Sequence, residues 1–453
     1  MCGMVPYVDF TDSKGPLLWL IYGLGYLISH HSYIGVFWIS ILFYTVTLFT
    51  AYKLCRLFAD KDVSAISVAL LPLFLFCYLF YYEVKTESFC YPFIMLALYC
   101  TCRILKYRNS DTRTYFKLSA LMGVCSICCW LMKYNIGAMI MVPMAVVLYM
   151  AIRHKAGWQS FWGMTIGFIV PAIPFVIYFL IQGNMNAFIQ EYFINTTGTY
   201  NKLPAHWMFL HKSNLLCHAI LFVIFIGIYR FSKRNKLEYW IILCFLGFIA
   251  CLGGITKSYY YMTVLPFSLF LILLIVDFVF NKYAIWRTKT TTMCALTAFF
   301  ALAITFAFYH IRNFKLDEEA RENYYKASYI MAQIKKPKVF NNSVYDNSVG
   351  IPAGTLPCCR YWMGQAGGWE AMKIEREKYL KSGVADFVCI DDGGNEERRK
   401  EVEELGYVYY CTVQIVSKSH ITYVFGRPGL KLPPEDFHVS QWDVWLKRNI
   451  FGI

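Results

Sequence analysis

Gln159–Ile181 reads QSFWGMTIGFIVPAIPFVIYFLI, with no charged side chain. At about 1.5 Å rise per residue, a helix of that length covers the roughly 30 Å hydrocarbon core of a bilayer. Moving outward, stretches of the same character lie at about 34–57, 63–81, 87–107, 115–132, 135–152, 214–230, 237–255, 259–280 and 291–310, which predicts about ten spans. Residues 115–152 are too long for one crossing and are split at Lys133-Tyr134-Asn135. Residues 16–29 are apolar but short, and read as an interfacial or re-entrant helix. Composition agrees. Of 453 residues, 58% are hydrophobic and 16% charged, against about 45–50% apolar and 25% charged in a soluble domain. Disorder, collagen, coiled coil and an ordinary soluble enzyme are excluded, and a polytopic α-helical membrane protein remains.

The formal charge of +14 is unevenly placed. Residues 1–310 hold 23 Lys and Arg against 10 Asp and Glu, whereas residues 311–453 hold 20 against 19. The basic residues of the first part sit in short loops between apolar runs, as in Arg103, Lys106, Arg108, Arg113 and Lys117. That pattern sets membrane orientation and argues against nucleic acid as a partner. Alternate loops carry 17 basic residues, and the opposite side carries six: Lys14, Lys85, Lys133, Lys202, Lys212 and Lys257. The richer side is therefore expected in the cytoplasm, with both chain ends outside. An outside Met1–Gly15 needs a span before it, so a further helix upstream is expected.

Residues 311–453 change character. Strands are predicted at 337–342, 385–391, 406–415 and 419–426, and helices at 317–334, 369–382 and 395–405, the last closed by Gly406. Alternation of this kind suggests a small α/β domain outside the cytoplasm, with a boundary near residue 310. Of 17 cysteines, most read as small core hydrophobes; Cys358, Cys359, Cys389 and Cys411 could form disulfides in an oxidising compartment. No cysteine pair has metal-ligand spacing backed by histidine, and no metal site is indicated.

The stretch bearing chemistry is Val5-Pro6-Tyr7-Val8-Asp9-Phe10-Thr11-Asp12-Ser13-Lys14-Gly15-Pro16. Two carboxylates and an ammonium fall within six residues, at the outer surface before the short apolar helix. A carboxylate there can take a proton from an acceptor hydroxyl or bind a metal, and Lys14 can hold a phosphate as a compact point charge. The plainer reading is a turn with Asp12 or Ser13 as helix N-cap and Pro16 in the first turn.

This stretch resembles the first outer loop of the GT-C glycosyltransferases, and is most similar to bacterial relatives of protein O-mannosyltransferase and of the lipid A aminoarabinose transferase. Three further places continue the resemblance: Lys85-Thr86-Glu87-Ser88-Phe89, the run from Gly123 through Lys133 to Pro143, and Tyr259-Tyr260-Tyr261 through Pro266, with Tyr259 where the family commonly has histidine. Together they cover about residues 1–280. The resemblance implies an integral-membrane enzyme, hexosyl- or pentosyltransferase, that moves a sugar from a polyprenyl-phosphate carrier to a lipid, glycan or protein acceptor outside the cytoplasm, in the inner membrane of a bacterium. Lys14 matches the lysine that contacts the carrier phosphate, and Lys133 is a second candidate for steadying that phosphate. Asp9 and Asp12 match loop acids and Glu87 the second outer acid, so these three are the catalytic candidates. Tyr259 and Tyr260 are candidates for substrate contact, or alternatively part of an aromatic belt. Relatives carry one more acid after a preceding span, which is expected upstream of residue 1. One displacement at the anomeric carbon implies inversion; no cofactor is expected, with a divalent metal possible but not indicated. A transporter or flippase of envelope lipids, or an inactive truncated transferase, is the competing reading. Transporters usually show repeats and midplane charges, and no repeat is seen here.

Overall fold

The computed structural model describes residues 4–11, 14–29, 34–75, 85–107, 111–195, 212–252, 258–282, 318–342, 353–361, 370–391, 396–414 and 421–434. The helices in chain order are α1 (Pro16–Ile28), α2 (Ile34–Cys55), α3 (Lys61–Leu70), α4 (Tyr91–Lys106, preceded by a helical turn at Thr86–Phe89), α5 (Thr112–Trp130), α6 (Tyr134–Arg153), α7 (Gly157–Ile181), α8 (Lys212–Arg234), α9 (Trp240–Leu252) and α10 (Ser268–Lys282). A 3-10 helix at Ser258–Phe267 leads into α10, and a π-helix at Ile189–Asn195 follows α7 after one short turn.

Among the described residues, five helices are long and apolar enough to cross a membrane: Ile34–Cys55, Thr86–Lys106, Tyr134–Arg153, Gly157–Ile181 and Tyr260–Asn281. This corrects the expected ten. The stretch at 63–81 breaks, because α3 ends at Leu70 and Pro72 opens a separate four-residue turn. Helix α5, over the predicted 115–132, carries Arg113, Lys117 and several hydroxyls and is too polar to qualify. Helix α8, over 214–230, ends in Arg230, Lys233 and Arg234 and is not one of the five. Helix α9, over 237–255, is only 13 residues long. Residues 291–310 lie outside the described residues. The protein is an integral membrane protein with several apolar helices and a C-terminal region of mixed sheet and helix.

The helices meet around one core that includes Ile94, Met95, Met139, Ile140, Phe245, Phe248, Phe267 and Phe270. Helices α5 and α7 pack backbone to backbone. A Cβ added at Gly123, Gly163 or Gly167 would fall within 3.0 Å of the main chain of the facing helix, at Met164, Phe116 and Ala120 respectively. Helix α7 leaves much of its outer face uncovered, with Ile169, Val170, Ile173 and Leu180 exposed, as a lipid-facing surface requires. The buried cysteines, among them Cys90, Cys100, Cys125, Cys129 and Cys244, act as small apolar residues.

The C-terminal region holds β1 (Lys338–Asn341), β2 (Leu356–Pro357), β3 (Phe387–Asp391), β4 (Val408–Gln414) and β5 (Ile421–Gly426), with α11 (Glu318–Met331), α12 (Glu370–Lys381) and α13 (Glu396–Glu404). The sheet order is β2-β1-β3-β5-β4. The first three strands are parallel, and β5 and β4 join antiparallel, with Cys389 opposite Val424 and Cys411 opposite Val424 on the other side. Alternate residues of β3 face opposite ways. Val388 and Ile390 pack with Leu380 and Val402 on one face, while Phe387 and Cys389 pack with Ile330 and Met331 on the other. Gly406, at φ 89, ends α13 in the left-handed region that favours glycine. Among the described residues, Cys358, Cys359, Cys389 and Cys411 form no disulfide with one another, so the pairings that the sequence allowed within this set are not made.

Candidate functional site

Three helical segments start side by side. Helix α1 begins after Gly15, the turn at Thr86–Phe89 after Lys85, and α6 after Lys133; none of these N-cap residues makes a side-chain capping hydrogen bond. The starts of α3 and α5 are built differently. Asp60 accepts from the amides of Asp62 and Val63, and Asp111 accepts from the amide of Thr114. Helix starts present N–H groups and partial positive charge, and a carboxylate cap answers that charge. The first group lacks a carboxylate cap, has Glu87 as its one first-turn acid, and adds two lysines. Lys53, Arg103, Lys106 and Arg153 occupy the opposite ends, in the last turns of α2, α4 and α6.

At the centre, Lys133 is paired with Glu87. The two are 7% and 1% exposed. Charges this deeply buried each need the other, since desolvating an unpaired one costs several kcal/mol (about 3–5 when one partner is removed). The Lys133 ammonium also lies 3.7 Å from the centroid of the Tyr260 ring, within cation–π range. Tyr260 is 5% exposed. Its neighbour Tyr261 meets the Nε2 of His218 at 3.1 Å through its hydroxyl. Both rings are buried in protein, which does not fit an aromatic belt facing headgroups. Tyr259 belongs to the same 3-10 helix, and its side chain lies outside the described residues.

The loop before α1 is brought to the same place by backbone hydrogen bonds. Gly15 N–H donates to the Met132 carbonyl at 2.9 Å, and Leu17 N–H to the Leu131 carbonyl at 2.9 Å. This puts Lys14 next to the turn that carries Lys133. Gly15 is obligatory here, because a Cβ would collide with the Leu131 carbonyl and come within 2.8 Å of the Tyr192 hydroxyl. Upstream, the Tyr7 hydroxyl donates to the Lys14 carbonyl at 2.8 Å. The Tyr7 ring is 1% exposed and packs among Phe179, Phe188 and Tyr192. Tyr7 has φ 65, a strained value for a large side chain. Asn184 Nδ2 donates to the Pro6 carbonyl at 3.2 Å. Tyr192 is in turn fixed by donating its hydroxyl to the Trp130 carbonyl at 2.6 Å. Burial pushes its phenol well above the usual range.

The loop acids fare differently. Asp9 is exposed, and its Oδ2 accepts from the Val5 amide at 2.6 Å, closing a local turn. Asp12, and with it Ser13, lies outside the described residues. The N-cap of α1 is Gly15, not either of these two, and Pro16 takes the first helical position as expected. Lys257 also lies outside the described residues. Among the described residues, no three His, Cys, Asp or Glu side chains gather as a metal would require.

Sequence reasoning missed Glu191. It sits in the π-helix, 6% exposed. Asn195 Nδ2 donates to it at 3.1 Å, the Tyr361 hydroxyl donates at 3.3 Å, and Arg360 Nη1 lies 3.8 Å away. Arg360 Nε also contacts both oxygens of Glu375 at 3.0 and 3.1 Å. The Arg360 carbonyl accepts from the Thr11 amide at 2.7 Å. The C-terminal region therefore touches both the loop before α1 and the π-helix. Nearby, Arg376 donates to the carbonyls of Tyr361 and Asn341, and burial lowers its pKa. A hydrogen bond with Cys358 holds the Cys359 thiol below the usual range. The signal for Glu191 was its rarity, as one of ten carboxylates before residue 311. Arg360 left no local signal.

Residues 13–181 match the model of the dolichyl-phosphate-mannose-protein mannosyltransferase family. A glycosyltransferase domain of the GT-C superfamily therefore occupies about this stretch. The match holds Lys14, Glu87 and Lys133 and ends on the last residue of α7, before Glu191, Tyr260 and the C-terminal region. No curated protein matches the chain.

Proposed function

We propose that this protein transfers a sugar from a polyprenyl-phosphate donor to an envelope glycolipid, glycan or protein at the outer face of a bacterial inner membrane. The observation that carries this reading is the joining of Lys14 and Lys133 at uncapped helix starts, through the Gly15–Met132 hydrogen bond. Helix N-termini and lysines together suit a phosphate. Residues 1–310 form the catalytic membrane domain and residues 311–453 the domain outside the cytoplasm. The cation-rich last turns of α2, α4 and α6 support a cytoplasmic location for the opposite end.

In this scheme Lys14 and Lys133 steady the leaving phosphate, and Glu87 holds Lys133 in place before the donor arrives. The acceptor oxygen forms a bond to the anomeric carbon as the bond to the carrier phosphate breaks. A carboxylate takes the acceptor proton, with Asp9, Asp12 and Glu87 as candidates. Tyr260, against Lys133, and Tyr259 border the sugar. The polyprenyl phosphate is already a good leaving group, so positioning and charge stabilisation supply most of the rate. A single displacement inverts the anomeric configuration. The test compares intact masses of envelope glycolipids and glycans in a deletion strain, in the same strain carrying this chain, and in one carrying Lys133→Met. Loss of one sugar mass in the deletion, restored by the chain and not by the variant, is expected. No mass shift in the deletion refutes the reading.

A further inference from the structure

We propose that Glu191 and Arg360 are positioning residues: they latch the C-terminal region onto the outer loop and so hold Lys14 where a carrier phosphate binds. The inference rests on the function proposed above and adds residues that neither the family match nor the sequence motifs reach.

The loop over residues 4–11 is held from two sides. On the membrane side, Tyr7 is sunk among Phe179, Phe188 and Tyr192, and Pro6 is held by Asn184. On the other side, its exit at Thr11 is tied to the Arg360 carbonyl. Three residues later comes Lys14, whose carbonyl accepts from Tyr7. The loop contact on the C-terminal side is a main-chain one, so its position depends on where Arg360 is fixed. The Arg360 side chain answers that. Its guanidinium lies between Glu375 of α12 and Glu191 of the π-helix, and over the Tyr361 ring at 4.7 Å. One planar fork thus ties two parts of the chain, a role that suits arginine and not lysine.

Glu191 is placed for this role by its helix. A π-turn is wider than an α-turn, is rare, and frequently lies at functional sites. Here it turns a carboxylate inward, away from solvent, where Asn195 and Tyr361 both donate to it. Tyr361 is itself 3% exposed, and its carbonyl accepts from Arg376. The latch therefore has a stiff foundation on each side. Lys14 lies between this latch and the Met132 hydrogen bond, and a loose latch leaves it held only by the Tyr7 hydroxyl and the Gly15 contact.

The experiment uses the full chain in lipid nanodiscs, with farnesyl phosphate as the phosphate probe. Hydrogen exchange of residues 4–11 is followed alongside probe affinity. Arg360→Ala and Glu191→Gln are expected to speed exchange of the Thr11 amide and to weaken the probe about tenfold, which corresponds to about 1.4 kcal/mol. Arg360→Lys is expected to recover only part of either effect. Arg427→Gln, which removes an equally charged residue from its pair with Asp386 away from the junction, is the control and should change neither. Unchanged exchange and affinity in both Arg360→Ala and Glu191→Gln overturns the latch. If Arg360→Ala does not fold, Glu191→Gln keeps the question open to the same readouts, since it preserves the size and polarity of the side chain. Failure of the wild-type protein to bind the probe refutes the donor reading instead, and the exchange of Thr11 still decides the latch.

Discussion

Gly15→Ala tests whether the loop and the α5–α6 turn act as one unit. The added methyl would lie within 3.0 Å of the Leu131 carbonyl carbon and oxygen and at 2.8 Å from the Tyr192 hydroxyl. Two of those atoms are main chain and no rotamer relieves them, so the segment entering α1 must retreat by about 1 Å to reach ordinary van der Waals separation. Retreat stretches the Gly15–Met132 and Leu17–Leu131 hydrogen bonds, both 2.9 Å. At about 0.5–1.5 kcal/mol each, their loss costs about 1–3 kcal/mol of stability. The catalytic effect should be larger. Lys14 moves with Gly15, and a shift of about 1 Å in a positioned group can lower the rate about a hundredfold. The assay pairs the thermal midpoint in nanodiscs with the rate at which the variant restores the missing sugar in the deletion strain. A lower midpoint with a rate near one-hundredth of wild type is expected. A variant with a lower midpoint and a wild-type rate would show that the contact packs the protein without positioning Lys14.

Other consequences follow from the same contacts. Glu87→Gln leaves the Lys133 ammonium buried without its carboxylate and should destabilise the protein by about 3–5 kcal/mol. Replacing both residues by Met should recover much of that stability, read as a thermal midpoint, yet restore no sugar transfer. Gly167→Ala drives a methyl into the Ala120 carbonyl and should cost about 1–3 kcal/mol, seen as a lower midpoint with little change in the rate per folded molecule. At the opposite end of the helices, hydrogen bonds from Thr114 hold the Asp111 carboxyl below its usual range. Its contribution is fully present above the unfolded value of about 3.9 and is lost as pH falls through the lower folded value. Asp111→Asn should remove that part of the acid dependence of the midpoint.

Local signals carried the C-terminal region well. The predicted strands at 337–342, 385–391, 406–415 and 419–426 lie over β1, β3, β4 and β5, because β-branched and aromatic runs bounded by turn residues leave few alternatives. The break at Lys133 was equally legible, since the 38 residues from 115 to 152 are too long for one crossing. The span count was not. Hydropathy sums composition over a window, and neither the stop at Leu70 before Pro72 nor the 13-residue length of α9 changes that sum much. In the site, Lys14, Glu87 and Lys133 were visible as charges beside apolar runs, and the structure brings the last two into contact. Glu191 and Tyr361 are 170 positions apart, and only tertiary structure joins them.

The seam between α5 and α7 has a consequence for how this protein can vary. When a glycine makes room for a bulky neighbour, a smaller neighbour can compensate, and the two positions drift together over time. Here the obstacles to a Cβ at Gly163 and Gly167 are the carbonyls of Phe116 and Ala120, which every amino acid possesses. No change on the facing helix can make room. The glycines of this seam are therefore expected to persist alone across related chains, without a covarying partner, while the side chains around them diverge.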